Sequence, residues 1–365
     1  KQKYITQPTL TSEDIIIKAL QDLKYVSKGT KNVKGNANLE ALKKMKERFD
    51  ETPVAKVKEK VKEVQFAENV PKVLNYSEDP RVPFMQNKAK VTNFFKSNND
   101  LKGVIHFAAS KAVGESTEQP LMYYENNINT LVYILQELEK SNHANFIFSS
   151  SCTVYGQADE LPITENAPVK RAESPYGNTK QIGEEIIQDV CSVNSNMDAI
   201  ALRYFNPIGA HESAIIGELP IGVPQNLVPF ITQTAHGLRD KLLVFGDDYP
   251  THDGTCIRDY IHVVDLAKAH VIALERLINR KNKSNFETFN LGTGKGSSVL
   301  EVIKSFERVT GLTLNYTIAK RRLGDITAAY ADTNKANMEL GWQSHLSLDD
   351  AMASAWKWET HIRKK

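Results

Sequence analysis

From about residue 101 onward, short apolar runs alternate with longer stretches in which apolar positions recur every three to four residues. This alternation is typical of a parallel sheet with crossover helices. Strands are predicted at 103–108, 145–151, 199–205, 242–245 and 287–291, and helices at 119–140, 175–192, 264–279 and 297–310. The first three strands are apolar on both faces, as burial between two helical layers requires. The pattern therefore predicts an α/β protein with a doubly wound parallel sheet.

Residues 1–80 have a different pattern. Helices are predicted at about 12–24, where Ser12 is the expected N-cap, and at 38–49. The segment 54–64 is compatible with either a third helix or an alternating strand. No internal repeat or low-complexity linker separates this part from the rest.

Composition narrows the classes of function. The chain has 365 residues, of which 41% are hydrophobic and 25% charged, as is ordinary for a globular protein. Its net charge of +2 gives no reason to expect nucleic acid or an acidic membrane as a partner. Residues 1–103 carry a surplus of eight basic residues, interpreted as a solvated lysine-rich surface. The three cysteines are widely spaced and have no metal-ligand pattern, so a cytoplasmic location and no metal are expected. No apolar run is long enough for a membrane span, and residues 1–20 lack a signal-peptide core. The chain begins with lysine, which favours a segment removed or missing upstream.

A tyrosine and a lysine four residues apart stand at the predicted start of the helix at 175–192. A spacing of four places Tyr176 and Lys180 on one face of the helix. Tyrosine near its ordinary pKa of about 10 is a poor base, but a neighbouring ammonium group favours the phenolate. Upstream, a predicted strand ends in Ser149-Ser-Ser151. Ligands bind at the carboxyl ends of parallel strands, so Ser151 is expected to face the same crevice. Taken singly, serines that end a strand are more often turn formers, and a tyrosine and a lysine four residues apart are commonly a coincidence.

Together, the strand ending in serine and the Ser174-Pro-Tyr-Gly-Asn-Thr-Lys180 segment resemble the extended short-chain dehydrogenase/reductase family, which has a Ser–Tyr–Lys triad. Further blocks resemble its UDP-glucose 4-epimerases, including Leu202-Arg-Tyr-Phe-Asn-Pro-Ile-Gly-Ala-His211. The other blocks lie at 104–116, 123–127, 224–227, 244–249, 254–266 and 321–325. The resemblance spans roughly residues 85–360 and implies a Rossmann-like fold with a smaller C-terminal substrate domain. It also implies reversible 4-epimerisation of a UDP-hexose with tightly bound NAD.

The resemblance also implies a role for each matching residue. Tyr176 would be the base for the sugar 4-hydroxyl, Lys180 would tune it, and Ser151 would hydrogen-bond the reacting oxygen. Residues implied to line NAD are Phe107, Ala108, Lys111, Asn126, Tyr176, Lys180 and Phe205. Residues implied to hold the UDP-sugar are Asn206, Asn226, Leu227, Phe245, Arg258, Tyr260, Arg322 and Asp325. The guanidinium groups suit diphosphate oxygens, although a salt bridge is the commoner role for either arginine alone.

Two smaller features complete the comparison with the family. The small Ala329 occupies the position that sets room around the sugar 2-substituent, so some turnover of N-acetylated UDP-sugars is expected. Gly292-Thr-Gly-Lys-Gly296 has the spacing of neither G-x-G-x-x-G nor a Walker loop, so it is interpreted as a tight turn. Relatives are commonly dimers, so a homodimer is an expectation.

The N-terminal part departs from the family pattern. Members open with a glycine-rich turn that holds the NAD pyrophosphate, whereas the glycines before residue 103 are Gly29 and Gly35, neither in such a turn. Three explanations stay open: a replaced segment in a non-catalytic descendant, a partner chain that completes the site, or an artefact of the sequence. The alternative function is a UDP-sugar-binding protein without turnover. The expected organisation is an atypical segment at 1–81, a nucleotide-binding core at 82–205, and a substrate domain at 206–365 from which 260–292 contributes to the core.

Overall fold

The structure, a computed structural model, describes residues 88–141, 144–220, 222–322 and 325–364. The predicted helices at 12–24 and 38–49 and the segment 54–64 lie outside the described residues, as does the atypical segment 1–81. The strands and helices predicted beyond residue 101 fall within them.

The elements are numbered in chain order. The α-helices are α1 (Lys88–Ser97), α2 (Val113–Glu118), α3 (Pro120–Leu138), α4 (Pro175–Val193), α5 (Leu227–Ala235), α6 (Val263–Ile278), α7 (Val299–Thr310) and α8 (Leu348–Arg363). The strands are β1 (Val104–His106), β2 (Ala144–Ser151), β3 (Met197–Tyr204), β4 (Asn206–Ile208), β5 (Leu242–Phe245), β6 (Ile257–Arg258), β7 (Tyr260–His262), β8 (Phe286–Leu291), β9 (Ser297–Ser298), β10 (Tyr316–Ala319) and β11 (Ala328–Ala329). A 3-10 turn at Cys152–Tyr155 and a π-helical turn at Ala336–Leu340 complete them.

The central sheet has the parallel order β1–β2–β3–β8. One face of β2 and β3 packs against α1, α3 and α4, through Phe146, Phe148, Ala199 and Ala201. The other face packs against α6, through Ile147, Ile200 and Leu202. Because side chains alternate between the faces of a strand, burial on both faces explains why these strands are apolar throughout. Every residue of β2 is buried, which confirms the prediction of a doubly wound α/β fold.

The C-terminal part contains a separate apolar cluster. Parallel strands β5 and β10 pack with α5, α7 and α8 around Ile231, Phe306 and Met352. The chain leaves the central sheet after β4 to form this C-terminal part, but it returns to the sheet with α6 and β8. Short pairs link the two parts: β4 with β7, and β6 with β9 and β11.

The predicted bounds agree closely with the observed ones. Strand β5 matches its prediction at both ends, whereas β1 is shorter than the predicted 103–108. The residues 292–296 form a turn, as predicted, with Gly294 at φ 75°. Among the described residues, no helix is long and apolar enough to cross a membrane.

Candidate active site

The predicted catalytic residues meet at the carboxyl end of β2. Ser151 is the last residue of that strand, and its Oγ accepts a hydrogen bond from the backbone N–H of Thr153 at 3.2 Å. Helix α4 begins close by. Its first residue is set by Ser174, which caps the helix by accepting from the Gly177 N–H, and by Pro175 in the first turn. This cap places Tyr176 and Lys180 in the first two turns of the helix.

Lys180 links the helix to the strand. Its Nζ lies 5.8 Å from the centroid of the Tyr176 ring and donates to the backbone oxygen of Ser149 at 2.6 Å. The lysine side chain is 4% exposed, and it also lies over the Phe148 ring. A buried ammonium has few competing waters, so its field acts strongly on nearby groups. The structure thus brings Ser151, Tyr176 and Lys180 to one end of the sheet, as expected from the sequence.

A neutral histidine lies beneath this group. His106 ends β1 and stacks against the rings of Phe146 and Phe148 of the neighbouring strand. Burial, and secondarily the charge of Lys180, lowers the pKa of His106 to about 3. The imidazole therefore adds no positive charge to that of Lys180 at neutral pH.

The loop after β1 carries the residues expected on the cofactor side. The Asn126 amide donates to Ser110 Oγ at 3.1 Å. Asn127 accepts from the Ser110 N–H and donates to Ser110 O and to Thr179 Oγ1. These bonds fix the loop containing Ala108 and Lys111 against α3 and α4. The Phe107 side chain, by contrast, packs in the core, 4.7 Å from the His270 ring.

A cationic group lies on the C-terminal side, at the ends of short strands. Arg322 Nε lies 3.1 Å from Asp325 Oδ2, and Arg258 Nη2 lies 3.9 Å from Asp325 Oδ1. The Arg322 guanidinium also stacks over the Phe245 ring at 4.9 Å. Two guanidinium groups share one carboxylate, so the group retains positive charge suited to a diphosphate. Burial raises the pKa of Tyr260 to about 12, so its hydroxyl stays protonated as a donor.

The remaining predicted residues occupy the edges of this group. Asn206 is paired with Tyr260 in the β4–β7 register, and its side chain is exposed. Phe205 is buried in a small cluster with Ala329. Asn226 and Leu227 begin α5, where the Asn226 amide donates to Glu218 Oε1 at 2.7 Å. Leu227 and Tyr260 pack against the same C-terminal cluster.

Asp259 joins these segments, and the sequence did not single it out. Its carboxylate is fully buried and accepts from Thr293 N, Thr293 Oγ1, Gly294 N and Ala331 N at 2.7–3.2 Å. Its backbone N–H donates to Ala329 O, and its backbone oxygen accepts from Asn206 N. The N–H groups of Thr293 and Gly294 are therefore committed to a carboxylate of the chain itself and do not point at a phosphate. A Cβ at Gly292 would lie 2.3 Å from Asp259 Oδ2.

Asn127 and Thr179 were also missed, and both had a sequence signal. Each lies on the inward face of a predicted helix, where a polar residue needs a partner. Asp259 had a weaker signal, since it stands between the predicted Arg258 and Tyr260. Its partners are distant in the sequence, so only the folded chain identifies them.

The parallel sheet with helices on both faces, and Ser151, Tyr176 and Lys180 at its carboxyl edge, define an extended short-chain dehydrogenase/reductase. Comparison with known families agrees, since the family model for GDP-mannose 4,6 dehydratase matches residues 42–355. Among curated relatives, the UDP-glucose 4-epimerase of Drosophila melanogaster is 48% identical over 257 residues, which are 70% of this chain and 73% of the relative. That of Haemophilus influenzae is 46% identical over 268 residues, 73% of this chain and 78% of the relative. The chain belongs to the UDP-glucose 4-epimerase family.

Solved structures give the same result. The UDP-glucose-4-epimerase of Stenotrophomonas maltophila, with bound NAD and formylated UDP-arabinopyranose, is 43% identical with a TM-score of 0.73, and the match covers 77% of this chain and 82% of that one. The enzyme of Bifidobacterium longum, in complex with NAD+ and UDP, is 47% identical with a TM-score of 0.72, and the match covers 76% and 81%.

Proposed function

We propose that this chain is an isomerase that interconverts UDP-glucose and UDP-galactose at C4 with bound NAD, through a 4-keto sugar. The observation that carries the proposal is the contact of Lys180 with Tyr176 and with the strand that ends in Ser151. Membership of the epimerase family supports the choice of substrate.

In the proposed reaction, the Tyr176 phenolate takes the proton of the sugar 4-hydroxyl. Lys180 stabilises the phenolate by its positive charge, and Ser151 hydrogen-bonds the reacting oxygen. Bound NAD would supply the acceptor and donor of the hydride. Arg258 and Arg322 would hold the diphosphate while the 4-keto sugar rotates in the pocket and presents its other face to the returning hydride. Tyr176 would then return the proton to the 4-oxygen.

The described residues fit the nicotinamide half of NAD. The loop of Ala108 and Lys111 is fixed at the carboxyl end of β1, and Lys180 is buried beside Tyr176. Asn126 and Phe205 complete the proposed cofactor side. For the pyrophosphate half, the glycines of the sequence before residue 103 are Gly29 and Gly35, and neither stands in a glycine-rich turn. Nicotinamide released on denaturation therefore tests the cofactor part of the proposal directly.

The proposed substrate side contains Asn206, Asn226, Leu227, Phe245, Arg258, Tyr260, Arg322 and Asp325. We further propose that 82–205 forms the nucleotide-binding core and 206–365 the substrate domain, with 260–292 returning to the core; the pairing of β8 with β3 supports this division. Ala329 is buried beside Phe205 and paired with Arg258, and its small size supports acceptance of N-acetylated UDP-sugars. A homodimer and a cytoplasmic location belong to the same proposal, and the free thiols of the three cysteines support a reducing compartment.

The test separates turnover from binding. Purified protein is denatured and the released nicotinamide measured, and conversion of UDP-galactose to UDP-glucose is followed by a coupled assay. Tyr176→Phe is expected to lower kcat by roughly 10²–10⁴-fold while UDP binding persists. Tyr133→Phe, on the neighbouring helix α3, is the matched control and is expected to retain activity. Binding of UDP with neither released nicotinamide nor turnover would contradict the proposal and favour a UDP-sugar-binding protein.

A further inference from the structure

A buried ion pair lies one helical turn beyond the catalytic lysine. Glu184 follows Lys180 by four residues on α4, so both side chains lie on the face toward the sheet. Arg203 of β3 donates through Nε to both carboxylate oxygens, at 2.9 and 3.2 Å, and through Nη2 to Oε2 at 2.5 Å. The side chains are 7% and 9% exposed.

The pair also binds the strand that ends in Ser151. Ser150, which is fully buried, donates its hydroxyl proton to Glu184 Oε1. Ser150 is the register partner of Arg203 in the β2–β3 ladder, so both side chains project toward α4. Ser149 is held by Lys180 through its backbone oxygen. The two residues before Ser151 are therefore each bonded to a different turn of α4.

The position of the charges on this face is specific. The side chains that β2 and β3 direct toward α4 are apolar along most of the strands: Phe146 and Phe148 on β2, Ala199 and Ala201 on β3. At the carboxyl end the next positions on this face are Ser150 and Arg203. Apolar packing alone tolerates small sliding of a helix, whereas bidentate hydrogen bonds fix distance and direction. A buried ion pair contributes little net stability compared with apolar residues of similar volume, so its presence beside the end of β2 points to a geometric role.

Arg203 is fixed from its other side as well. Its Nη1 donates to the Tyr155 hydroxyl at 3.0 Å, and that hydroxyl donates to Asn290 of β8 at 2.7 Å. The guanidinium also lies over the Tyr155 ring at 4.9 Å. The arginine is thus bonded to the 3-10 turn after β2 and, through the Tyr155 hydroxyl, linked to β8, and these bonds hold it in place independently of α4.

We propose that Glu184 and Arg203 are positioning residues that set α4 against the end of β2, and so hold Tyr176 and Lys180 in place relative to Ser151. Neither residue needs to touch substrate for this role. The kinetic part of the inference rests on the proposed epimerase function, whereas the geometric part does not.

The chain offers a matched control. Arg276 and Glu287 form a second buried pair, with Nε–Oε2 at 2.7 Å and side chains 9% and 5% exposed. This pair joins α6 to the edge strand β8, on the side of the sheet away from α4. Glu287→Gln breaks an ion pair of the same chemistry and burial without altering the contact of α4 with β2.

The first experiment compares kinetics with stability. Glu184→Gln is expected to lower kcat by roughly 10–100-fold with the KM for UDP-galactose within about threefold, because a displacement near 1 Å has effects of that order. Glu287→Gln is expected to lose similar stability but keep kcat within about twofold. The double variant Glu184→Leu/Arg203→Met removes both charges, so it should recover stability while kcat stays low. Recovery of kcat together with stability, or an equal loss in Glu287→Gln, would show a merely structural role and overturn the inference.

The second experiment needs no turnover. In protein labelled with 3-fluorotyrosine, the ¹⁹F signal absent from Tyr176→Phe identifies Tyr176. Its chemical shift is expected to change in Glu184→Gln and in the double variant, and to stay unchanged in Glu287→Gln. An unchanged signal in all three overturns the inference. A changed signal in a protein without epimerase activity supports it, while contradicting the proposed function.

Discussion

Replacement of Asp259 by asparagine tests how the substrate side is held together. The carboxylate accepts at Oδ1 from Thr293 and at Oδ2 from Gly294 N and Ala331 N, at 3.2 and 3.1 Å. An asparagine side chain has a single oxygen, so its amide group would face two N–H donors, that of the half-buried Gly294 and that of the buried Ala331. Each donor left without an acceptor costs about 1–3 kcal/mol.

Two such donors would cost about 2–6 kcal/mol together, and the expected loss of stability is about 2–4 kcal/mol, the lower part of that sum. Burial raises the pKa of Asp259, so removal of its buried charge offsets some of the lost bonding. Because Asp259 lies between Arg258 and Tyr260, we also expect the Kd for UDP to rise at least about tenfold. Urea denaturation at neutral pH measures the first effect, and titration calorimetry with UDP measures the second.

Asp265→Asn is the control for this prediction. Asp265 is also fully buried, and its Oδ2 accepts from His345 N and Leu346 N, both at 2.7 Å. The substitution should destabilise the fold similarly but leave UDP affinity within about twofold, because the 345–346 segment carries no proposed substrate residue. A loss below about 0.5 kcal/mol in Asp259→Asn, or equal losses of affinity in both variants, would refute the reasoning.

Three further predictions concern pH, backbone and specificity. Since burial holds the pKa of His106 at about 3, the folded state leaves it neutral while the unfolded chain binds a proton below about pH 6.5. The contribution of the neutral His106 to the free energy of unfolding is complete above that pH and is lost as pH falls, by about 1.2 kcal/mol between about pH 7 and 5.5. In urea denaturation, the stability of His106→Gln should therefore fall by about that much less over the same pH interval. Gly254→Ala should lower the free energy of unfolding by roughly 1–3 kcal/mol more than Gly311→Ala. Both glycines have positive φ, but the new Cβ at 254 would meet Asp247 O at 2.0 Å, whereas the one at 311 would meet open space. Equal melting temperatures of the two variants would contradict this. Ala329→Tyr should abolish turnover of UDP-N-acetylgalactosamine and preserve that of UDP-galactose, as measured by kcat/KM; activity of the unsubstituted protein on UDP-glucose and UDP-galactose alone would refute the expectation.

The sequence determined the layers of the fold and where the proposed catalytic residues lie in it. Strands β2 and β3 are buried on both faces, so their apolar runs carry a local signal. The Tyr176–Lys180 spacing and the Ser174-Pro175 start of α4 are local as well, since capping and helical periodicity act within a few residues. Ser151 was predicted because a strand end in a parallel sheet has a fixed location.

Only the tertiary structure decided which distant residues support that site. Glu184 finds Arg203 and Ser150 across two neighbouring elements, and Asp259 finds amides more than 30 positions away. A carboxylate in a sequence is compatible with the surface or the interior, and its charge alone does not choose between them. The choice depends on which donors the folded chain brings within hydrogen-bonding distance, because a buried charge is tolerated only where such donors surround it.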